Sequence, residues 1–171
     1  MRARGVGVGM NRTPAHVRKL FAWLAERELV DGNPVAGKSR PAKEAPRDRV
    51  LDDEEIRAVW RACDGLGHPY GPFVKLLILT GQRRGETAAM LWADLDLEAG
   101  TWTIPPGLNK SGRPHLVHLS EPARAILGEM PHVGPWVFTT TGAKPINSFG
   151  LLKRKLDDLS DVTGWRLHDL R

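Results

Sequence analysis

The sequence predicts an α+β domain, mostly helical with a small three-stranded antiparallel sheet, and three observations carry that expectation. Apolar residues recur at helical spacing through most of the chain. The period changes at 94–97, 101–104 and 116–119, which read as short strands, and Glu98-Ala99-Gly100 supplies turn chemistry between the first two. Short strands set among helices give an α+β arrangement.

The elements follow in order. Thr13-Pro14 reads as an N-cap with proline at the first helical position. Val17, Leu20, Phe21, Leu24 and Leu29 or Val30 then recur near helical spacing, so a helix is expected over about 14–30, stopped by Asp31-Gly32-Asn33-Pro34. Residues 36–50 read as a linker, since the run AGKSRPAKEAPRDR is rich in charge and proline and offers almost nothing to bury. From 51 to 171 the chain reads as a compact domain. Asp52 or Asp53 caps a helix bearing Ile56, Val59 and Trp60, and Phe73 to Leu79 belongs to a buried helix that ends at Thr80-Gly81. A short helix is expected from Glu86 to Leu91. The strands are Asp94 to Leu97, Thr101 to Ile104 and, after a loop from Pro105 to Gly112, Leu116 to Leu119. Ser120 with Glu121-Pro122 opens a helix to about Met130, Trp136-Val137-Phe138 is extended, and Ser148 to about Leu159 is helical. Trp23, Trp60, Trp92, Trp102, Trp136 and Trp165 are read as packing anchors.

Composition narrows the function classes. The 171 residues include one cysteine and one tyrosine, with a formal charge of +5, 41% hydrophobic and 26% charged residues. One cysteine closes no disulfide within the chain and builds no Cys-rich zinc site. No apolar run approaches bilayer-spanning length and the N-terminus lacks a signal-peptide core, so a soluble, cytoplasmic protein is expected. The charge is uneven. Residues 1–50 hold 11 Lys/Arg against 5 Asp/Glu, or +6, and residues 51–171 hold 14 against 15, or −1. A basic arm ahead of a near-neutral body suggests a polyanionic partner, nucleic acid first, with an arginine-rich codon bias as the plain alternative.

Several familiar motifs fail. Gly5-Val6-Gly7-Val8-Gly9 lacks the spacing of a dinucleotide fingerprint and follows no strand. Lys110-Ser111 is preceded by Asn109, with Ile104 where a phosphate-binding loop needs its first glycine. His115 and His118 fall on opposite faces of a strand, so no metal is implied.

Three segments remain, each placing a cation at the edge of an element: Thr80-Gly81-Gln82-Arg83-Arg84-Gly85-Glu86, Asn109-Lys110-Ser111-Gly112-Arg113 and His168-Asp169-Leu170-Arg171. In this order, with Leu-Trp-Ala-Asp-Leu-Asp at 91–96 and Val117-His118-Leu119-Ser120 after the lysine, they resemble the tyrosine recombinase (phage integrase) family from Leu51 to Arg171. The resemblance implies that family's DNA breaking-rejoining fold. It also implies a remnant of the DNA-clamping core-binding domain in residues 1–35, double-stranded DNA as partner, a tetramer on DNA in the full-length form, and no cofactor or metal.

The chemistry accounts for these residue types. In-line attack on a phosphodiester builds negative charge on the non-bridging oxygens, which guanidinium forks stabilise. The resemblance assigns those forks to Arg83 and Arg171, the general acid on the leaving oxygen to Lys110 (with Arg113 a nearby competitor), and the imidazole beside the phosphate to His168. Glu86, three residues after Arg83, looks like the acidic residue that orients the basic groups. Arg40, Lys43, Arg47, Arg49 and Arg84 are further DNA-contact candidates, and Lys153-Arg154-Lys155 reads as a solvated run that could also touch the backbone.

The family's nucleophile is a tyrosine some tens of residues past the second arginine. Tyr70 instead precedes the first motif arginine and reads as structural. The expectation is therefore an internal piece of a recombinase that binds DNA without cutting it. A remnant or regulator that binds DNA with no catalytic role and a fragment similar to a type IB topoisomerase are the alternatives.

Overall fold

The computed structural model of the chain describes residues 6–38, 49–108 and 112–171, and in the first helix the side chains from Arg12 onward. The chain divides between Asp48 and Arg49 into two units.

In the first unit, α1 runs Val6–Glu26. It starts earlier than 14 and carries Pro14 inside, where proline removes one helical N–H without ending the helix. It also ends earlier than 30. Glu28 takes a left-handed φ of 55°, and its N–H bonds the Ala25 carbonyl at 3.0 Å while the Leu29 N–H reaches the Leu24 carbonyl at 3.0 Å. This is a Schellman stop, a geometry usually marked by glycine and built here on a glutamate. The chain then folds back on the helix: the Asn33 side-chain amide donates to the Arg18 carbonyl at 3.0 Å, and Arg18 Nε donates to the Val35 carbonyl at 3.3 Å.

The second unit begins with a capping box. The Glu55 N–H donates to Asp52 Oδ1 at 2.9 Å and the Asp52 N–H to Glu55 Oε2 at 3.0 Å, opening α2, Asp53–Leu66. Next comes α3, Tyr70–Thr80, which crosses α2 so closely that a Cβ on Gly71 would lie 2.2 Å from the Cys63 carbonyl oxygen. The short α4, Arg84–Ala88, stops before Leu91, because Met90 and Leu91 are drawn into pairing with the Trp136 segment. There the Val137 N–H donates to the Met90 carbonyl at 3.0 Å.

The sheet is three-stranded and antiparallel, in the order β1 (Leu95–Asp96), β2 (Thr101–Ile104), β3 (His115–His118). Trp102 pairs with Leu95 on one side and Val117 on the other, and Ile104 pairs with His115. Then come α5, Glu121–Gly128, and α6, Phe149–Ser160, and a 3-10 turn at Leu167–Leu170 ends the unit. The core is one cluster that joins α2, α3, α5 and α6 to the inner face of the sheet, with Val59, Phe73, Leu76, Trp102, Ile104, Leu127, Phe138 and Leu156 fully enclosed.

Two tryptophans, Trp102 and Trp165, are buried as packing anchors. Trp23 is not, being 46% exposed on α1. The position leaves its ring in solvent, with the Arg27 guanidinium 4.2 Å from its centre.

Candidate functional site

The end of α3 aims the first cationic segment. Thr80 Oγ1 donates to the Leu76 carbonyl at 2.7 Å, and Gly81 adopts a left-handed φ of 60° so that its N–H closes the helix on the Leu77 carbonyl at 2.9 Å. The chain re-enters a helix three residues later with Arg83 in the capping position. Glu86, only 4% exposed, accepts two hydrogen bonds from that residue: from Arg83 Nη1 at 2.6 Å and from the Arg83 N–H at 3.2 Å. A buried carboxylate held this way fixes the guanidinium root while 44% of the arginine side chain stays exposed.

The last segment is placed by packing at its back. Val162, Trp165 and Leu167 are buried, and the Trp165 indole N–H donates to the Val162 carbonyl at 2.9 Å. Asp169 Oδ2 accepts the Arg166 N–H at 2.9 Å, winding the turn that presents His168 to solvent. The Arg171 N–H closes it on the His168 carbonyl at 3.3 Å.

These two segments, with Arg83 and His168 85 residues apart in sequence, meet. Arg83, Arg84, Gly85 and His168 line one open cavity of about 280 Å³. Of the residues predicted from sequence, Arg83, Arg84 and His168 come together there with Glu86 behind them. Arg171 is exposed at the end of the terminal turn and is not among the lining residues. Lys110, Arg40, Lys43 and Arg47 lie outside the described residues. Arg49 is described and committed within the fold: its guanidinium pairs with Glu55 and the Val50 carbonyl. That pairing holds the Glu55 carboxyl below its ordinary range, through the Arg49 hydrogen bond first and the Asp52 N–H second. Lys153 also departs from a solvated reading, since it pairs with Asp157 and lies 4.2 Å from the centre of the Trp165 ring.

Sequence reasoning missed Phe149. Its ring lies under the Arg84 guanidinium, 4.5 Å from ring centre to Cζ, and nothing but apolarity at a helix start marks it in the sequence.

The cysteine and the tyrosine both lie away from this cavity. Cys63 is buried between α2 and α3 with its thiol donating to the Val59 carbonyl at 3.1 Å, and burial pushes the thiol up to about 12, so no thiolate forms at neutral pH. Tyr70 is half-buried at the start of α3, along a separate groove with Leu66, Leu152 and Leu159. The eleven residues of α3 set it about 15 Å of helix away from Thr80. Among the described residues no cluster of His, Cys, Asp or Glu could hold a metal ion, and no helix is long and apolar enough to cross a membrane.

The phage integrase family model matches residues 49–171. The chain is 30% identical over 161 residues to the prophage integrase IntZ of Escherichia coli strain K12, covering 88% of this chain and 40% of that protein. It is 32% identical over 120 residues to the tyrosine recombinase XerC of Xanthomonas campestris pv. campestris strain B100, covering 69% and 36%. Among solved structures, a lambda integrase tetramer bound to a Holliday junction superposes with a TM-score of 0.75 at 19% identity, over 97% of this chain and 52% of that one. At that identity the likeness concerns the fold alone. The chain spans 36–40% of the length of these two relatives.

Proposed function

The chain belongs to the phage integrase family, and from that premise we propose that residues 49–171 form the phosphate-holding part of a DNA strand cleaving and rejoining recombinase. The observation that carries the proposal is the meeting of Arg83 and His168 in one cavity, with a buried carboxylate fixing the arginine. A site built to steady two cationic or proton-carrying groups at one point suits the non-bridging oxygens of a phosphodiester. In this reading Arg83 and Arg171 stabilise charge on the phosphoryl oxygens, His168 holds or moves the proton of an attacking hydroxyl, and Lys110, in the connection between β2 and β3, protonates the leaving oxygen. Glu86 keeps Arg83 oriented.

The whole protein is proposed to act on double-stranded DNA in the cytoplasm through a 3′-phosphotyrosyl link and to work as a tetramer on its DNA, without a cofactor. Residues 1–35 are proposed to belong to a DNA-clamping domain, with 36–50 as the linker. The 171-residue polypeptide is proposed to hold DNA without cutting it, because its one tyrosine, Tyr70, lies along a different groove from the cavity.

Binding to a short DNA duplex and trapping of covalent adducts on supercoiled DNA test these statements together. Arg83→Ala and Arg171→Ala are each expected to weaken duplex binding on the order of tenfold, the scale of a charge-assisted contact, and no protein–DNA adduct is expected. Unchanged affinity in both variants would sink the phosphate role. An adduct through Tyr70 would overturn the assignment of that residue.

A further inference from the structure

The cavity contains a charge imbalance that the roles above leave unused. Arg83 is matched by the buried carboxylate of Glu86, so that pair brings no net charge to the cavity. Arg84 lines the same cavity and, among the described residues, makes neither a hydrogen bond nor an ion pair. Its one described partner is the face of Phe149, 4.5 Å from the guanidinium carbon. That ring is itself fixed from below. Phe149 stacks on Phe73 with centroids 5.7 Å apart and planes at 29°, and Phe73 meets Phe138 edge-on at 5.4 Å and 74°. Phe73 and Phe138 are fully buried. An aromatic column rooted in the core therefore ends under a guanidinium whose hydrogen-bond donors are unspent.

We propose that Arg84 is a second phosphate-contacting cation of this cavity and that Phe149 is its positioning residue. The proposal rests on the reading of the cavity as a phosphodiester site and deepens it. Arg83 supplies an oriented fork whose charge is already compensated, and Arg84 supplies the uncompensated charge that an anion requires. A guanidinium laid on an aromatic face keeps its in-plane N–H donors available at the edge, so the stacking orders the side chain without consuming its donors.

The test is binding of the 171-residue chain to a short duplex of arbitrary sequence, followed as a function of salt. The variants are Arg84→Gln, Phe149→Leu, the double variant, Phe149→Tyr, and Arg57→Gln as a charge control on α2. Each phosphate contact contributes about 0.9 to the slope of log affinity against log salt. Arg84→Gln is expected to lower the slope by about that amount and the affinity on the order of tenfold, while Arg57→Gln leaves the slope unchanged. Phe149→Leu is expected to weaken binding about threefold in the native background and to have no effect once Arg84 is glutamine. Phe149→Tyr keeps the ring and is expected to behave as the native chain, which covers the case in which the leucine variant does not fold. A native slope in Arg84→Gln, or an equal loss in Arg57→Gln, would overturn the role of Arg84. An equal loss from Phe149→Leu in both backgrounds would make Phe149 a packing residue only. If the unaltered chain shows no salt-dependent binding, the phosphate reading fails first and this proposal with it; if it binds and only the Arg84 arm is flat, this proposal fails alone.

Discussion

Glu86 is where a single residue decides most. Its carboxylate is buried, and its two described partners both belong to Arg83, so Glu86→Gln removes a charge that the guanidinium depends on and leaves a buried amide facing it. Loss of one partner of a buried pair costs several kcal/mol, but Arg83 is nearly half exposed and water takes over part of its solvation. A destabilisation of about 1–2 kcal/mol is expected, measurable as a lower urea midpoint at unchanged slope. Affinity for duplex DNA should fall as well, because loss of the fork's fixed root outweighs the positive charge that the change uncovers on Arg83. A stability loss with unaltered affinity would show that Glu86 serves the fold and not the cavity. This residue was legible in the sequence because a three-residue spacing places its carboxylate beside Arg83. Phe149 was not, since a ring that stacks under a guanidinium from a distant helix leaves no trace in local spacing.

At the scale of elements, the crossing of α2 and α3 is set by the absence of a side chain. Gly71 has a negative φ, so its need for glycine is steric: the Cys63 carbonyl stands where a Cβ would go. Gly71→Ala must push the two helices apart, and overpacking of this kind costs about 1–3 kcal/mol. Thermal and urea unfolding would read the loss, and a neutral substitution would mean that the crossing is looser than its 2.2 Å approach indicates. Helix and strand positions from α2 onward followed from periodicity and caps to within a residue or two, except α4, which opens two residues before Glu86 and closes three before Leu91; Asp52 caps α2 through its side chain, while Ser148 stands before α6 without a side-chain cap bond. The ends of α1 did not. A left-handed glutamate closes it, and an internal proline fails to open it, so the two usual punctuation residues mislead in opposite directions.

For the whole molecule, stability against alkali follows from the core. Cys63 has its folded-state value raised to about 12 by burial, against about 8.5 in an unfolded chain. The unfolded state therefore loses its thiol proton first. The stability contributed by keeping the thiol neutral is complete below pH 8.5 or so and is lost as pH climbs toward 12. Cys63→Ala is expected to remove that part of the alkaline decline, read as midpoints of urea unfolding between pH 8 and 10. In the native chain the thiol should react with iodoacetamide only as fast as the core opens. Rapid labelling under native conditions would contradict the burial. The α+β class was legible because the change of period at residue 94 coincides with the sheet. The meeting of Arg83 with His168 was legible only through the family resemblance, because no local pattern encodes which distant segments of a folded unit touch.

The left-handed stop at Gly81 has a consequence for how this sequence can vary in length. Only Gln82 separates that stop from Arg83, and Glu86 must find Arg83 within the next turn. One residue inserted between Arg83 and Glu86 lengthens the backbone between them by up to about 3.4 Å, more than their ion pair can span. Viable variants should therefore show insertions and deletions elsewhere, while the register from Arg83 to Glu86 stays free of gaps. A library of single-residue insertions scored for DNA binding would display that segment as a sharp minimum of tolerance.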